Sequence, residues 1–542
     1  MMKKYDLLEL SIKDIRFPST GVAYADGIEV LVKNTIPGQR VLAKLTKMKK
    51  RYEASLVEVL SPAPGEIPAD CPQFGLCGGC AFRSLSYAAE CRLKEQMVAD
   101  ILREGGFTGF TFDGLVPAPC DRDYRNKMEF SFGDDGLDGN LTLGLRKRGS
   151  YYETADVSAC GICDADFRAA AAYTLSFFRQ TDETFYHRTR HTGALRYLVV
   201  RKGFFTGELL VNLVTTSALR ADVQAWAAGL AALPWAGTLT GALHTVSDSV
   251  ADTVAPEAVH VLSGRDYYTE KLLGLTFRVS AFSFFQTNAA GAERLYASVR
   301  EFAGDTTGKT LFDLYCGTGT IAQLLADGAA RVTGVELVEE AVAAARLNAS
   351  ANNLTNCEFI AGDVLKVIGG LTGAPEVIIL DPPREGMHPK ALAALAAFGA
   401  ETIVYVSCKP TSMATDLAQL TSLGYAVQRV RCHDMFPRTN HVETVVLLSK
   451  LKSSKSIEIK IDLDEVDLTQ AESKATYDEI KAYVLDKYGF KVSQLYIAQV
   501  KRKHGIIERE NYYTGEGKAK TPQVPLKKEK AIEDALKHFR MI

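Results

Sequence analysis

The sequence has no stretch that is long and apolar enough to cross a membrane. A membrane helix needs about 20 mainly apolar residues, and no such run occurs in the 542 residues. The first residues, MMKKYDLLELSIKD, lack the apolar core of a secretory signal. These absences argue against a membrane partner and against export, and we expect a cytoplasmic protein.

An excess of charge of one sign is also missing. The 63 Lys and Arg residues nearly balance the 65 Asp and Glu residues, which gives a formal net charge of −2. A chain-wide attraction to nucleic acid is therefore excluded, and any such affinity must come from local patches. Residues 44–51 (KLTKMKKR) are one candidate patch.

Disulfide bonds are not expected, although the chain has 11 cysteines. In a reducing compartment, cysteines act as free thiols, metal ligands or catalytic groups. Cysteine spacing is therefore a guide to chemistry in this chain.

The pattern of apolar residues divides the chain into four predicted segments. Short strands with turn residues predict a small β-barrel at 1–61, and mixed strand patterns predict a mainly β central domain at 62–280. Alternating strands and helices at 281–450 predict an α/β domain with a Rossmann-like parallel sheet. Residues 453–542 are dense in charge and predict a helical extension.

A glycine turn in the third segment indicates a cofactor site. Residues 313–320 (DLYCGTGT) follow a predicted strand and precede a helix, and Glu336 ends the next strand about 20 positions later. An acidic residue there is placed to bind ribose hydroxyls. The third glycine of a dinucleotide fingerprint is missing, which leaves S-adenosylmethionine as the candidate, with Asp363 at its adenine edge.

Three reactive side chains follow the later strands of the same segment. Asp381 begins a rigid turn (DPPREG), Cys408 ends the strand 403–408, and Glu443 precedes the last strand. Beside a methyl donor, this set suits a weak nucleophile such as carbon 5 of uracil. The thiolate adds to carbon 6, and a base then removes the proton from carbon 5. Because a cation lowers a thiol pKa, we expect Lys409 to stabilise the thiolate.

These motifs resemble the RNA (uracil-5-)-methyltransferases of the TrmA/RlmD type over about residues 1–450. The similar segments are an N-terminal barrel of the TRAM type and the motifs at 71–80, 282–288, 313–320, 380–386, 406–410 and 436–443. The resemblance implies a class I methyltransferase domain with Cys408 as nucleophile and Glu443 as base. It also implies donor-binding roles for Gln286, Tyr315, Glu336, Asp363 and Asp381. Lys409 and Thr320 stand where many family members have Asn.

Cys71, Cys77 and Cys80 are spaced like metal ligands and need a fourth partner, either Cys160 or Cys163. Spacing alone leaves zinc, an iron–sulfur cluster and a redox pair open. The resemblance favours a 4Fe–4S cluster with Cys160 as the fourth ligand.

The barrel and the four cysteines resemble the 23S rRNA branch of the family, which implies 23S rRNA as the partner and a monomeric enzyme. A tRNA uridine methyltransferase is the alternative, and a non-catalytic iron–sulfur RNA-binding protein is the rival from another class. For the extension, we expect either a helical module with RNA contacts near residues 501–503 (KRK) or a solvated helical appendage.

Overall fold

The computed structural model describes residues 2–48, 52–136, 139–250, 256–451, 477–488, 490, 492–504 and 524–538. The chain forms two compact units, Met1–Lys452 and Ser453–Ile542, and each is described by itself. Within the described ranges, no helix has both the length and the apolar character to span a membrane.

The first unit begins with a six-stranded sheet whose order is β1-β5-β6-β4-β3-β2. Alternate residues of its strands, such as Val30 and Val32 or Val41 and Ala43, are fully buried and form one core. This alternation places one face of each strand inside, as expected for a half-buried strand. The strands are β1 (Leu7–Ser11), β2 (Asp14–Arg16), β3 (Thr20–Ala25), β4 (Ile28–Lys33), β5 (Arg40–Met48) and β6 (Tyr52–Ser61).

A long helix and a short strand follow, α1 (Tyr87–Glu104) and β7 (Thr111–Val116). Helix α1 begins at Ser86, whose hydroxyl accepts a hydrogen bond from the Ala89 N–H. Its buried Lys94 binds both Glu90 and Asp434, each at 2.8 Å. Because a buried charge is costly without partners, this triad fixes the helix against the loop that contains Asp434.

The central domain is a seven-stranded sheet of order β10-β9-β8-β11-β12-β13-β14. Two helices cover one face and bury Phe167, Phe178 and Trp226 against it. The elements are β8 (Lys127–Asp134), β9 (Leu141–Arg146), β10 (Thr154–Ala155), α2 (Ala165–Phe178), β11 (Leu195–Lys202), β12 (Glu208–Thr215), α3 (Val223–Ala231), β13 (Thr238–Val246) and β14 (Ala258–Gly264).

A two-stranded hairpin, β15 (Tyr267–Leu272) and β16 (Leu275–Ser280), connects the central domain to the α/β domain. Its strands alternate between buried Tyr268, Glu270 and Leu272 and the more exposed residues between them. One face of the hairpin is therefore part of the core.

The α/β domain is built on an eight-stranded sheet of order β19-β18-β17-β20-β21-β23-β22-β7. Strands β17 to β21 are parallel, and β23 is antiparallel to both of its neighbours. The elements are α4 (Ala289–Ala303), β17 (Thr310–Leu314), α5 (Thr320–Leu324), β18 (Arg331–Glu336), α6 (Glu339–Ala351), β19 (Cys357–Ala361), α7 (Val364–Val367), β20 (Val377–Leu380), α8 (Pro389–Ala397), β21 (Thr402–Ser407), α9 (Pro410–Ser422), β22 (Tyr425–His433) and β23 (Glu443–Lys450).

The strand order places the cofactor loop at the centre of the sheet. Strand β17 lies between β18 and β20. From β17 the chain continues through β18 and β19 on one side and then crosses back to β20 on the other side. Ligands of open α/β sheets bind at such a switch point, outside the carboxyl ends of the strands.

The structure differs from the sequence analysis in the assignment of β7. The 62–280 segment was expected to belong wholly to the central domain, but β7 pairs with β22 and forms an edge strand of the α/β sheet. Strand pairing between segments about 300 residues apart has no local signal, so periodicity alone does not detect it.

The second unit contains three helices among its described residues, α10 (Tyr477–Tyr488), α11 (Gln494–Lys503) and α12 (Leu526–His538). They share a core that includes Ile480, Ile497 and Ile532. Of the cluster expected to contact RNA at 501–503, Lys501 is buried, which contradicts the expectation for that residue, whereas Lys503 is exposed and pairs with Glu529. The side chain of Arg502 lies outside the described residues.

Candidate active site

The loop after β17 has the backbone shape of a ligand-binding turn. Gly317 and Gly319 have φ values of 53° and 70°, and a Cβ on Gly319 would lie 2.5 Å from the Phe359 ring. Tyr315 also has a positive φ of 65°, although it is not a glycine. Such strained residues occur where the surroundings hold a functional loop in place. Only glycine fits at position 319.

The acidic residues that were predicted to bind the cofactor are held by backbone N–H groups. Glu336 accepts hydrogen bonds from Gly317 N at 3.1 Å and Val338 N at 3.0 Å. Asp363 caps helix α7 by accepting from Leu365 N at 2.9 Å. These bonds fix both carboxylates at the ends of their strands.

One cleft of about 1150 Å³ contains the whole predicted site. Its lining includes the two proposed catalytic residues and the five proposed donor-binding residues, which are Cys408, Glu443, Gln286, Tyr315, Glu336, Asp363 and Asp381. They come from seven separate places in the chain between 286 and 443. The structure thus brings together all seven residues to which catalytic or donor-binding roles were assigned, but not Lys409.

The reactive groups are held in an environment that disfavours their charged forms. Burial, together with the neighbouring Asp381, raises the pKa of Glu443 to about 8, although Arg384 opposes the shift. Burial and the charge of Glu443 raise the pKa of Cys408 to about 11, and Arg384 again acts in the opposite direction. A base with a pKa near neutrality is suited to proton transfer. A second cation or a bound ligand would help form the thiolate.

Arg384 is the cation at the nucleophile, and the sequence analysis missed it. We expected Lys409 in this role, but Lys409 lies at the start of α9 and does not line the cleft. Arg384 lines the cleft and lowers the pKa of Cys408. It donates to Nδ1 of His441 at 2.7 Å. The signal was present in the DPPREG turn, but only the fold shows that this turn faces Cys408.

Burial and the nearby Arg384 lower the pKa of His441 to about 4, so this ring is neutral at physiological pH. Because Nδ1 accepts from Arg384, the ring proton is on Nε2. His441 therefore orients the guanidinium without adding a second charge.

The turn that presents Asp381 and Arg384 is fixed from behind by Asp416. Asp416 Oδ2 accepts hydrogen bonds from the Tyr405 hydroxyl at 2.6 Å and from Met387 N at 2.8 Å. Asp416 is 5% exposed. This buried contact joins α9, β21 and the turn, and it holds Arg384 in register with Cys408.

Gln286 lies at the junction of the central domain and the α/β domain. The next residue, Thr287, accepts at its carbonyl from Asn126 N at 2.7 Å and at its hydroxyl from Arg125 at 2.9 Å. Gln286 itself adjoins the buried Tyr296 of α4. The central domain therefore forms one wall of the cleft and positions a cofactor-site residue.

Two further carboxyls make the base of the cleft acidic. Burial raises the pKa of Asp381 to about 7, and burial with the neighbouring Asp381 raises the pKa of Asp313 to about 8. Asp313 accepts from Ala322 N at 2.9 Å through one oxygen, while its other oxygen is buried without a partner. Such a site favours a ligand that carries positive charge, as the sulfonium of S-adenosylmethionine does.

The predicted cysteine ligands meet in a second, much smaller pocket of about 20 Å³. Cys71, Cys77, Cys80 and Cys160 line it, while Cys163 is packed in the core of the central domain. All four thiols are free. The structure therefore separates the two candidates for the fourth position, which spacing alone left open.

Within the described ranges, the four thiols are not arranged as a formed metal site, because no group of three or more His, Cys, Asp or Glu side chains is placed to hold a metal ion. Zinc requires four ligands at about 2.0–2.3 Å from one ion, whereas in an iron–sulfur cluster each thiolate binds a different iron. The arrangement of the thiols therefore does not discriminate between zinc and a cluster.

The surroundings of the cysteines fit an anionic group. Arg83 is 3% exposed, and its Nε and Nη2 atoms are buried without hydrogen-bond partners. Burial raises the pKa of Cys80 to about 11, and the neighbouring Arg83 acts against this shift. Arg148 donates from Nε to the Cys77 carbonyl at 3.0 Å. Two guanidinium groups thus border four thiols.

The fold and the cleft together define an S-adenosylmethionine-dependent methyltransferase of class I. Residues 305–376 match the family Methyltransferase domain, and residues 370–451 match tRNA (Uracil-5-)-methyltransferase. The chain belongs to the RNA (uracil-5-)-methyltransferase family of the TrmA/RlmD type.

Two relatives carry the name Uncharacterized RNA methyltransferase. One, from Clostridium tetani (strain Massachusetts / E88), is 46% identical over 450 residues, which cover 83% of this chain and 99% of that protein. The other, from Chlorobaculum tepidum, is 37% identical over 477 residues, which cover 83% of this chain and 97% of that protein.

Among solved structures, the chain is similar to the Pyrococcus abyssi tRNA (uracil-54, C5)-methyltransferase in complex with S-adenosyl-L-homocysteine. The TM-score is 0.65 and the identity 26%, over 81% of this chain and 100% of that one. The comparisons confirm the expected enzyme class, an RNA uracil-5-methyltransferase, and the expected methyl donor, S-adenosylmethionine.

Proposed function

We propose that this enzyme methylates carbon 5 of a uridine in 23S rRNA through a covalent bond between Cys408 and the base. The observation that carries the proposal is that Cys408, Glu443, Asp381 and Gln286 line one cleft beside the cofactor loop. A thiol and a carboxyl with a pKa near neutrality are the two groups that this chemistry requires.

The reaction begins at Cys408. Its thiolate, stabilised by Arg384, forms a bond to carbon 6 of the uracil, and the electrons of the 5,6 double bond move towards the carbonyl at carbon 4. S-Adenosylmethionine would supply an electrophilic methyl group, which carbon 5 accepts as the bond from that methyl to the sulfonium sulfur breaks and S-adenosylhomocysteine leaves. Glu443 removes the proton from carbon 5, the double bond reforms, and the carbon–sulfur bond breaks. Cys408 leaves as a thiolate, so the enzyme is restored without an oxidant or a reductant.

RNA that contains 5-fluorouridine tests the covalent step. Fluorine at carbon 5 cannot be removed as a proton, so the wild-type enzyme should form a stable protein–RNA adduct. Glu443→Gln should accumulate the same adduct with ordinary RNA, while Cys408→Ala should form none. Methylation by the Cys408→Ala protein would reject the mechanism.

The substrate branch is a separate part of the proposal. The four cysteines and the six-stranded N-terminal sheet, which resembles a TRAM barrel, support 23S rRNA. The similarity to a structure described as a tRNA (uracil-54, C5)-methyltransferase favours tRNA as the second candidate. Mapping 5-methyluridine in rRNA and tRNA from a deletion strain decides between them, because the modification should disappear from only one.

We also propose that Cys71, Cys77, Cys80 and Cys160 hold a 4Fe–4S cluster. The four free thiols and the unpartnered buried nitrogens of Arg83 support an anionic cluster at this place. The pocket of about 20 Å³ has room for about one water, so the thiols must move apart to bind it. Iron and sulfide in protein purified without oxygen support the cluster, whereas stoichiometric zinc rejects it.

The helical extension is proposed to be dispensable for methyl transfer. Every residue of the cleft lies before 444, and the extension forms a separate compact unit. Truncation after residue 451 should therefore preserve turnover. RNA affinity measured at low and high salt shows whether the extension adds phosphate contacts, since such contacts steepen the salt dependence.

We propose that the enzyme acts in the cytoplasm and that it is a monomer. Sedimentation tests the oligomeric state, and cell fractionation tests the location.

A further inference from the structure

A loop of the central domain presents two exposed aromatic rings next to the hairpin that leads into the cleft. Phe204 and Phe205 lie at the turn between β11 and β12 and are 43% and 45% exposed. Their rings meet edge to face, with centroids 5.0 Å apart. Exposed phenylalanines are costly in water, so a neighbouring pair in a tight turn calls for an explanation.

The turn is held in place by a buried carboxyl group. Glu270 of β15 is 1% exposed, and its two oxygens accept from Phe204 N at 2.5 Å and Phe205 N at 3.1 Å. Thr206 donates to the Thr269 carbonyl at 2.6 Å. These three hydrogen bonds attach the turn to β15. The rings are therefore presented by a fixed backbone.

The same hairpin carries a guanidinium that lacks an anionic partner. Arg278 of β16 lies over the Tyr267 ring, with its Cζ atom 3.7 Å from the centroid. Within the described ranges, Arg278 forms no ion pair, and its Nε atom has no hydrogen-bond partner. Lys271, on the more exposed face of β15, is likewise without an ion pair there. Lys271 is exposed, and the half-buried Arg278 lies on the paired strand, so the described part of the hairpin carries two cations without an ion pair.

The hairpin reaches the active-site cleft at one end. Tyr267 pairs with Ser280 across the hairpin, and Ser280 is itself part of the cleft lining. Arg278 pairs with Thr269, which accepts from the turn that carries the phenylalanines. A strand of nucleic acid whose uridine enters the cleft can therefore continue along the hairpin.

We propose that Phe204, Phe205, Tyr267, Lys271 and Arg278 form a second RNA-binding surface, the hairpin surface, which takes unpaired nucleotides next to the target uridine. The two phenylalanines stack on bases, as aromatic side chains do in proteins that bind single strands. Arg278 and Lys271 bind phosphates. The proposal rests on the proposed function, since it assigns the surface to the same RNA. Charge complementarity and the connection to the cleft favour RNA over an apolar protein partner.

The first test separates stacking from simple apolar contact in the full-length enzyme. The probe is a fluorescent oligouridine, and its affinity is measured by anisotropy. The double variant Phe204→Leu/Phe205→Leu keeps the surface apolar but removes the rings, and it should bind at least about 10-fold more weakly. The matched variant Phe204→Trp/Phe205→Trp keeps flat rings and should bind like the wild type. Equal affinity of the leucine variant and the wild type would overturn the proposal.

The second test concerns the phosphates. Arg278→Gln should reduce the slope of affinity against salt by about one ion, and Arg278→Lys should keep that slope. An unchanged slope in Arg278→Gln contradicts a phosphate contact.

A separate readout distinguishes this proposal from the proposed function. The leucine variant should bind S-adenosylmethionine normally in calorimetry and should raise KM for RNA without changing kcat. Absence of any uridine methylation by the wild type would reject the proposed function, whereas the oligouridine comparison is measured without catalysis. A lower kcat with unchanged KM would instead contradict the hairpin surface.

Discussion

The methyl-transfer cleft and the cysteine pocket both combine thiols with arginines, but in spaces of very different size. The cleft has about 1150 Å³ of space and the pocket about 20 Å³. In both, burial raises thiol pKa values, and an arginine acts against that shift, Arg384 at Cys408 and Arg83 at Cys80. Burial and a neighbouring arginine thus act on the thiols in the same directions in both places. The size of the surrounding space is what differs, since the cleft is large enough to admit a base and a methyl donor and the pocket is not.

The largest expected effect is the loss of the cleft thiol. Cys408→Ala should lower kcat by about 10,000-fold or more, because it removes the thiol proposed to form the bond to carbon 6. Cys357→Ala is the matched control, since Cys357 is a half-buried thiol of the same sheet outside the cleft. If Cys408→Ala had the same kcat as Cys357→Ala, the thiol of Cys408 would not be needed for methyl transfer.

Loss of the shared cation should have a smaller effect. Arg384→Gln should lower kcat by about 100- to 1,000-fold, because a preorganised charge at the reacting atom is removed. The pH profile of kcat should also shift to higher pH, since Arg384 lowers the pKa of Cys408. Arg384→Lys keeps the charge and should recover part of the rate. A profile that does not move in Arg384→Gln would show that this arginine does not stabilise the thiolate.

The proposed role of the cysteine pocket can be tested by substituting, one at a time, two cysteines that are three positions apart in the sequence. Cys160→Ser should lose bound iron and lower the thermal midpoint, because one of the four ligands is removed. Cys163→Ala should keep the iron, since Cys163 lies in the core and outside the pocket. Iron content is measured after purification without oxygen. Equal iron in both variants would show that Cys160 is not a ligand.

The smallest expected effect is on stability, because the buried carboxyl of Glu443 makes the free energy of unfolding depend on pH. Because the pKa of Glu443 is raised from 4.5 to about 8, the folded enzyme holds a proton that the unfolded chain releases. The free energy of unfolding should therefore fall as pH rises from about 4.5 to about 8, by a few kcal/mol at most. Glu443→Gln should flatten this decline in urea unfolding.

Glu301 provides a control of opposite sign. Hydrogen bonds and ion pairs with Arg431 and Arg429 lower the pKa of Glu301 to about 2. Its contribution to stability is complete above about pH 4.5 and is lost as pH falls towards 2. Glu301→Gln should therefore leave the slope between pH 5 and 8 unchanged. A steeper or an unchanged decline in Glu443→Gln would show that this carboxyl is ionised when folded.

Much of the cleft was predictable, because many of its reactive side chains lie at the ends of successive strands. In a parallel sheet these ends meet at one edge, so the turn after Leu314, the acid at 336 and the thiol at 408 had to converge once the alternation of strands and helices was recognised. The structure places all seven predicted residues in one cleft. The family resemblance added the donor-binding roles of Gln286 and Tyr315, which no local pattern gives.

The remaining features depend on contacts between distant segments. Side chains next to one another in sequence point in different directions, so Lys409 follows Cys408 in the chain while Arg384 is the cation at its thiol. Pairing of β7 with β22 and burial of Lys501 likewise follow from packing. Local period and strand order determined the α/β domain and the convergence of its strand ends, and the motifs, through the family resemblance, determined the enzyme class and seven residues of the cleft. Tertiary structure decided which charge faces which reactive atom, because that depends on distances that a linear pattern does not contain.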